Sequence, residues 1–326
     1  MIGKIISHYK ILEKLGEGGM GLVYKARDTK LDRFVALKFL PPYLRQDEEN
    51  KKRFIQEAKA ASALDHPNIC TIYQISETED GQIFIAMACY EGQSLRDRIE
   101  KGSLPIDEVL EIAIQIAAGL AKAHSKNIFH RDIKPANVII TNDEVVKIVD
   151  FGLAKLSGKT QFTKAGTTLG TVAYMSPEQT RGIAVDHRTD IWALGAVIYE
   201  MLTGRQPFAG DYEQAVIYSI MNEEPEPPTA QRTGVPKELE RIVLKALAKE
   251  PDKRYRSVQE MLAELLGFAK NGRSRRWRWR WRRPGKRNGL AILIIILLLA
   301  IAIPTFLSRP KVTAEPGRVL VCTFEN

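Results

Sequence analysis

The chain has 326 residues, 44% of them apolar and 27% charged, so it is long enough for one large or two modest folded units, and wholesale disorder is excluded. Its three cysteines, Cys70, Cys89 and Cys322, are too far apart for a zinc motif or a disulfide framework. The net charge of +9 is matched by nine basic residues within 273–287. Residues 1–272 are therefore nearly balanced, and the charge belongs to a connector rather than to a folded surface.

A glycine-rich turn lies between two predicted strands near the amino terminus. A strand-like run over 9–15 is followed by Gly16-Glu17-Gly18-Gly19-Met20-Gly21 and by a second strand-like run over 22–26. The G-x-G-x-x-G pattern alone also fits a dinucleotide site, but that site requires a helix after the glycines. The second strand instead predicts a hairpin that covers phosphate groups.

The next two elements carry opposite charges among apolar residues. Lys38 ends the strand-like run 35–38, where it is interpreted as a cation for phosphate oxygens; a solvated edge lysine is the simpler alternative. The segment 47–64 has helical periodicity with one apolar face. Glu57 lies beside that face and is the natural acidic partner for Lys38; a surface charge on the helix is the simpler alternative.

A change of architecture is predicted near residue 90. The apolar strand 83–88 leads to Cys89-Tyr90-Glu91-Gly92, where glycine interrupts the pattern. From there, mainly helical segments continue to about residue 268, which predicts a strand-rich small lobe and a helix-rich large lobe. The helix 106–124 has a core-facing row formed by Ile106, Val109, Leu110, Ala113, Ile114, Ala117 and Leu120.

The residues that point most clearly to a reaction lie in 130–137 and 150–152. These segments read HRDIKPAN and DFG, with two short apolar strands between them. Phosphoryl transfer needs a carboxylate for the hydroxyl proton, oxygen ligands for Mg²⁺ and a cation for the developing charge. Asp132, the pair Asn137 and Asp150, and Lys134 can supply these in turn.

Six motifs follow one another along the chain: the glycine loop, VALK, HRDIKPAN, DFG, Ser176-Pro177-Glu178 and the run 190–195. With these motifs in this order, the stretch 9–268 resembles the eukaryotic-type (Hanks-type) protein kinase family. It is most similar to bacterial membrane-spanning serine/threonine kinases. The resemblance implies an α+β bilobal fold, ATP and Mg²⁺, protein Ser/Thr substrates, and a homodimer as a further partner. Ser176 and Ala88 depart from the residues usual in the family, but hinge backbone groups read adenine, so ATP binding is little affected by Ala88.

The resemblance also assigns roles in catalysis. Lys38, paired with Glu57, would hold the α- and β-phosphates, and Asp132 would be the catalytic base. Lys134 would lie near the γ-phosphate. The Mg²⁺ ligands would be Asn137 and Asp150.

The nucleotide site implied by the resemblance includes a gatekeeper, Met87, and a hinge formed by residues 88–90. Leu15 and Val23 would lie against adenine beneath the glycine loop. The residues expected to contact the nucleotide are Leu15, Gly16, Glu17, Gly18, Gly19, Met20, Gly21, Val23, Ala36, Lys38, Met87 and Cys89.

Specificity and regulation follow from the same resemblance. Lys134 and Thr171 indicate serine or threonine as the acceptor, because Thr171 would shape a shallow site near Asp132. Arg131 is typical of kinases that are ordered by a phosphate in the activation segment. The candidate phosphorylation sites are Thr163, Thr167 and Thr168. Glu178 and Arg254 match a buried ion pair that braces the large lobe.

The carboxyl-terminal part predicts a membrane anchor. Residues 290–307 are eighteen residues without a charge, and as a helix they would extend about 27 Å across a hydrocarbon layer of roughly 30 Å. A buried core helix is the alternative. The preceding linker, 269–289, contains RWRWRWRR, whose tryptophans and arginines favour an interface with anionic lipid headgroups. Binding of single-stranded nucleic acid is the rival interpretation of this run, and its adjacency to the span disfavours it.

The charge asymmetry around the span predicts a single-pass protein of the cytoplasmic (inner) membrane, with the kinase domain in the cytoplasm and the carboxyl terminus outside. We expect a lead at 1–8 and an extracytoplasmic stub at 308–326 that is truncated, because its apolar strand 319–324 has no partner. A short natural tail is the alternative. Three alternatives stay open: a catalytically silent ATP-binding membrane scaffold, a small-molecule phosphotransferase and a membrane-anchored nucleic-acid binder.

Overall fold

One antiparallel sheet forms the amino-terminal lobe. The computed structural model describes residues 1–18, 21–40, 48–151 and 172–271. Six strands pair in the order β1-β2-β3-β4-β6-β5. Their bounds are β1 Ile5–Ile6, β2 Tyr9–Gly18, β3 Gly21–Asp28, β4 Arg33–Phe39, β5 Ile72–Glu77 and β6 Ile83–Ala88.

Strands β4 and β6 are buried on both faces. Helix α1, Glu48–Ser62, packs on this sheet next to β5. Its buried Phe54 and Ala58 form one cluster with Ile83 and Ile85, whereas the opposite face of the sheet has a separate cluster around Tyr9, Phe39 and Phe84. Strands that are buried on both faces read as continuous apolar runs, as β6 does with Ile-Phe-Ile-Ala-Met-Ala.

The second lobe is mainly helical and is organised around one buried helix. That helix, α5, is apolar almost all round, and α3, α8 and α9 pack against it. The helices are α2 Leu95–Ile99, α3 Ile106–His124, α4 Pro177–Thr180, α5 Arg188–Thr203, α6 Glu213–Asn222, α7 Pro228–Gln231, α8 Lys237–Ala246 and α9 Val258–Asn271. Short 3₁₀ turns cover Pro135–Asn137 and Pro251–Lys253.

A small three-stranded sheet lies at the start of this lobe. Its strands are β7 Gly92–Ser94, β8 Val138–Thr141 and β9 Val146–Ile148, in the order β7-β8-β9. The two-lobe arrangement predicted from the sequence is confirmed, and the small lobe ends at β6 as expected. Strand β8 directly follows the segment after α3 that contains Asp132, Lys134 and Asn137.

The sequence pattern predicted only part of the buried face of helix α3. In α3 the predicted row is buried at Val109, Leu110, Ala113, Ala117 and Leu120, but Ile106 and Ile114 are only half-buried. The helix also buries Ile112 and Ile116, because it packs against both α5 and α9 and so needs a wider apolar stripe than one row.

The predicted membrane span, 290–307, lies outside the described residues. Within the part that is described, there is no helix with the length and apolar character that crossing a membrane requires.

Candidate active site

The glycine loop is the turn of an antiparallel hairpin. Strands β2 and β3 pair with Gly16 opposite Val23, Glu17 opposite Leu22 and Gly18 opposite Gly21. The backbone of Gly21 has φ +111°, a conformation that glycine adopts without a Cβ clash. The predicted hairpin is confirmed, and with it the choice against a dinucleotide fold, because a strand follows the glycines. Gly19 and Met20 lie outside the described residues.

Six of the residues predicted for the nucleotide site, including the three hinge residues 88–90, belong to one apolar cluster. Leu15 is not part of it, and its side chain is 50% exposed. The sequence analysis missed Cys70 and Val149 in this cluster. Burial raises the pKa of the Cys70 thiol to about 12, so the thiol stays protonated at neutral pH. Cys70 therefore contributes apolar surface and is not a nucleophile. The cluster comprises Val23, Ala36, Cys70, Met87, Ala88, Cys89, Tyr90 and Val149.

Lys38 is buried in the middle of the large sheet. Its strand β4 lies between β3 and β6, with Val23 and Ile85 as its cross-strand neighbours. The side chain is 2% exposed, and its Nζ lies 2.8 Å from Asp150 Oδ1. An ammonium this deeply buried requires an opposite charge, so the solvated-edge alternative is excluded.

Glu57, the predicted partner of Lys38, lies half-buried in α1. The helix predicted over 47–64 is present, with bounds Glu48–Ser62. An ion pair between Lys38 and Glu57 stays a prediction, whereas the ion pair between Lys38 and Asp150 was not anticipated.

The segment after α3 holds Asp132 by one of its carboxylate oxygens. Lys134 Nζ lies 2.9 Å from Asp132 Oδ2, and Asn137 Nδ2 donates to the same oxygen at 3.0 Å. Asn137 Nδ2 also donates to the backbone carbonyl of Asp132 at 2.8 Å. Because both side-chain partners contact Oδ2, the other oxygen, Oδ1, has no described donor. Asp132 is thus oriented with one oxygen left to accept a proton.

Asp150 connects Lys38 of the small lobe with the catalytic segment of the large lobe. Burial opposes its ionisation, but Lys38, His130 and Lys134 together hold the pKa of this carboxyl below its usual value. The backbone N–H of Val149 donates to the Asn137 carbonyl at 3.0 Å, and His130 Nε2 lies 2.9 Å from the Val149 carbonyl oxygen. The structure therefore brings Lys38, Asp132, Asn137 and Asp150 into one connected group.

Asp190 holds the backbone just before Asp132, a role that the sequence analysis did not assign. Its carboxylate is fully buried and accepts the backbone N–H groups of His130 at 2.8 Å and Arg131 at 2.6 Å. His124 Nε2 lies 2.8 Å from the same carboxylate. The sequence contained a signal for this role, because Asp190 directly precedes the apolar run 191–199. A carboxylate next to a buried run is itself buried and therefore needs hydrogen-bond partners.

The predicted ion pair of the large lobe is confirmed. Arg254 and Glu178 form two parallel hydrogen bonds of 2.7 and 2.8 Å, and both residues are almost completely buried. Arg254 also donates to the backbone carbonyls of Ala248 and Lys249. Burial opposes ionisation of Glu178, but Arg254 outweighs it and lowers the pKa of the carboxyl.

Several predicted residues lie outside the described part of the chain. They are Gly152 of the DFG segment, the acceptor-site residue Thr171, and the three candidate phosphorylation sites, Thr163, Thr167 and Thr168.

The described residues supply what a phosphoryl transfer requires. The site has an oriented carboxylate with a lysine beside it, a buried lysine in the strand that follows the glycine hairpin, and a pair of oxygen donors. The apolar cluster next to them has the character of a surface that binds a planar base. The arrangement fits a nucleoside triphosphate as phosphate donor and a hydroxyl as acceptor.

Comparison with known sequences agrees with this geometry. A family model described as protein kinase domain matches residues 9–265. The serine/threonine-protein kinase PrkC of Bacillus subtilis is 44% identical over 269 residues, which cover 81% of this chain and 41% of that protein. The serine/threonine-protein kinase PknB of Mycobacterium leprae is 41% identical over 263 residues, covering 79% and 42%. The chain thus spans about two fifths of the length of these curated relatives.

A solved structure has the same fold. The crystal structure of the kinase domain of PknI from Mycobacterium tuberculosis matches with a TM-score of 0.66 and 27% identity. The match covers 82% of this chain and 98% of the PknI domain.

Proposed function

The chain belongs to the protein kinase family, in its eukaryotic-type (Hanks-type) serine/threonine branch, and on this premise we propose that it transfers the γ-phosphate of ATP to serine and threonine hydroxyls of proteins. The observation that carries the proposal is the connected group of Lys38, Asp132, Asn137 and Asp150, in which Lys134 and Asn137 both hold the Asp132 carboxylate through Oδ2. The alternative of a silent scaffold would be favoured by the loss of one of these four, and all four are present.

The proposed reaction begins at Oδ1 of Asp132, the carboxylate oxygen that Lys134 and Asn137 do not contact in the described part of the chain. Its Oδ1 accepts the proton of the substrate hydroxyl as the hydroxyl oxygen attacks the γ-phosphorus. A new O–P bond forms, the bond between the γ-phosphorus and the β,γ-bridging oxygen breaks, and ADP leaves. Lys134, 2.9 Å from Asp132 Oδ2, lies where it can stabilise charge on the transferred group. Lys38 holds the α- and β-phosphates beneath the glycine hairpin.

The donor atoms at Asn137 and Asp150 fit Mg²⁺. The donations from the Asn137 amide nitrogen go to Asp132, so the carbonyl oxygen Oδ1 of Asn137 is the atom left for a cation. Asp150 uses Oδ1 for Lys38 and offers its second carboxylate oxygen. Hard oxygen donors, few in number, suit an ion that keeps several waters. When bound, Mg²⁺ supplies charge neutralisation for the phosphate oxygens.

Labelled ATP tests the proposal. The purified chain is incubated with Mg²⁺, ATP labelled at the γ-phosphate and a generic basic protein, and the labelled amino acids are separated after acid hydrolysis. We expect label on serine and threonine and none on tyrosine. Label on tyrosine, or ATP binding without any transfer, would contradict the proposal, and the second result would favour a nucleotide-responsive scaffold. Transfer to a small hydroxyl compound but to no protein would favour a small-molecule phosphotransferase.

We also propose that phosphorylation of the activation segment regulates the enzyme. Arg131 precedes Asp132, and among the described residues no carboxylate pairs with its guanidinium, whose Nε is buried without a hydrogen-bond partner. A phosphate offers strong acceptors for a guanidinium in this position. A second copy of the chain can transfer that phosphate from ATP, which gives the proposed homodimer a role.

Incubation with ATP should therefore place phosphate on Thr163, Thr167 or Thr168 and raise kcat. Arg131→Gln should remove the increase but leave the activity of phosphatase-treated enzyme near wild type, because only the phosphorylated form uses the guanidinium. Mass spectrometry of the activation segment, together with kcat before and after phosphatase treatment, checks this. An activation that is as large in Arg131→Gln as in wild type would refute the role of Arg131.

For the carboxyl-terminal part we propose a single-pass anchor at 290–307 in the cytoplasmic membrane, with 269–289 on the anionic inner leaflet. The support is sequence alone: the uncharged run, the nine basic residues before it and the fewer basic residues after it. Each basic residue near an anionic surface contributes about 1 kcal/mol of attraction.

Two shortened chains separate the anchor from the linker. The full chain should remain in the membrane pellet at high salt, because an apolar span is not screened by ions. A chain ending at residue 289 should bind vesicles that contain phosphatidylglycerol and be released by high salt, since its attachment is electrostatic. A chain ending at residue 271 should bind in neither condition. Recovery of the full chain in the soluble fraction would disprove the anchor.

A further inference from the structure

A buried glutamine of α4 reaches the catalytic segment, residues 130–137, and the proposed reaction does not use it. Gln179 is the third residue of α4 and is 5% exposed. Its Nε2 donates to the Arg131 carbonyl oxygen at 2.9 Å, and its Oε1 accepts the N–H of Ser176 at 3.1 Å. One partner accepts and the other donates, so a single orientation of the amide satisfies both.

The Arg131 carbonyl belongs to the peptide unit that leads into Asp132. That unit is planar, so its carbonyl and the N–H of Asp132 turn together. The N–H of Asp132 donates to His130 Nδ1 at 3.2 Å, while the carbonyl accepts from Gln179. Because the peptide plane is held on both sides, it cannot rotate without the loss of a hydrogen bond. Gln179 therefore helps to fix the direction in which the Asp132 side chain leaves the backbone.

Helix α4 is a firm base for this contact. Ser176 Oγ lies 2.5 Å from Thr189 Oγ1 of α5, and both residues are buried. Glu178, the residue before Gln179, is paired with Arg254. The glutamine side chain therefore starts from an anchored position.

Capping of α4 alone does not explain why this residue is a glutamine. A capping box takes glutamate as well as glutamine at this position, because either side chain has an oxygen for the Ser176 N–H. An ionised glutamate has no hydrogen to donate, whereas the Arg131 carbonyl is an acceptor. The nitrogen end of Gln179 is thus needed for the contact with the catalytic segment and not for the helix cap.

We propose that Gln179 is a positioning residue for phosphoryl transfer, which couples α4 to the catalytic segment through the carbonyl of Arg131. Helix α4 comes soon after Thr171, the residue predicted to shape the acceptor site. The coupling therefore joins the acceptor side of the chain to Asp132, which takes the proton. The effect on kcat rests on the proposed function, whereas the hydrogen bond itself does not.

Two variants remove the donor in different ways. Gln179→Met keeps the length of the side chain without a polar group, and Gln179→Glu keeps an oxygen for Ser176 but has no N–H. At about pH 8, where a glutamate is ionised, both should lose at least about tenfold in kcat, a factor that corresponds to about 1.4 kcal/mol. KM for ATP should change little, because Gln179 contacts the catalytic segment and is not part of the apolar cluster predicted to hold adenine.

Ser176→Ala is the matched control, because it removes the hydroxyl half of the same capping box and leaves the bond between Gln179 and Arg131 in place. It should keep kcat close to the wild-type value. Each variant is compared per folded molecule, counted by nucleotide-binding stoichiometry. If Gln179→Met fails to fold, Gln179→Glu takes its place in both experiments. A kcat at the wild-type level in the Gln179 variants, or an equal loss in Ser176→Ala, would overturn the proposal.

Hydrogen exchange gives a readout that requires no catalysis. The amide of Asp132 should exchange faster in Gln179→Met than in the wild type and in Ser176→Ala, with the amides of α8 as an unchanged internal reference. If the wild type transfers no phosphate, the proposed function fails, and this comparison still decides whether Gln179 holds the peptide unit. Unchanged exchange of the Asp132 amide in Gln179→Met would overturn the inference on its own.

Discussion

Replacing Asp132 with asparagine should lower kcat for phosphate transfer by about 10²–10⁴, because the variant keeps the shape of the side chain but has no carboxylate to accept the proton. Asparagine at this position can still accept hydrogen bonds from Lys134 and Asn137 through its carbonyl oxygen, so the loop should retain its conformation. The affinity for ATP should stay close to that of the wild type. Steady-state kinetics and nucleotide titration measure the two quantities separately.

Asp143→Asn is the control for this prediction. Asp143 is an exposed aspartate in the turn between β8 and β9, so the same chemical change there should leave kcat unaltered. A kcat above about one tenth of the wild-type value in Asp132→Asn would show that this carboxylate is not the base.

Breaking the ion pair between Glu178 and Arg254 should be the most destabilising single change in the large lobe. Arg254→Met leaves a buried carboxylate without its cation and also frees the carbonyls of Ala248 and Lys249. Removing one partner of a buried pair costs about 3–5 kcal/mol, and the free energy of unfolding should fall by that amount in a urea titration.

The same pair makes a predictable contribution to acid sensitivity. The folded pKa of Glu178 is lowered, because Arg254 outweighs the opposing effect of burial. The stabilisation is therefore complete above the ordinary pKa of this carboxyl, 4.5, and is lost as the pH falls through the lower folded value. Unfolding measured between about pH 7 and pH 3 should show less acid destabilisation from this site in Glu178→Gln than in wild type.

Arg256→Met provides the matched control for the stability prediction. Arg256 is two residues further along and exposed, so its loss should change the unfolding free energy by less than about 0.5 kcal/mol. If Arg254→Met were as stable as Arg256→Met, the pair would not be a brace of the lobe.

Local patterns in the sequence were sufficient to predict the elements that carry the site. A strand on each side of the glycines predicted the hairpin of β2 and β3, and the apolar run ending near Gly92 predicted where the small lobe stops. Both inferences depend on neighbouring residues, whose periodicity reports strand or helix directly. The ion pair between Glu178 and Arg254 came from resemblance, since the two residues are 76 positions apart.

Contacts between distant segments were harder to predict. The pair of Lys38 with Asp150 joins β4 to the segment after β9, and no periodicity connects them. Cys70 and Val149 belong to the apolar cluster of Val23 and Met87 because the loop before β5 contacts both β6 and β9, which depends on the topology of two sheets. His124 is the last residue of the helix predicted over 106–124, and its contact with Asp190 becomes apparent only when α3 and α5 are packed together.

One measurement tests the central claim, that the chain moves the γ-phosphate of ATP to a protein hydroxyl with Asp132 as the base. ADP and phosphorylated protein are quantified in the same time course for the wild type and for Asp132→Asn. We predict that the two products rise one for one in the wild type and that both fall together in the variant. ADP formed without phosphoprotein by the wild type, or phosphoprotein formed at the wild-type rate by the variant, would contradict the claim.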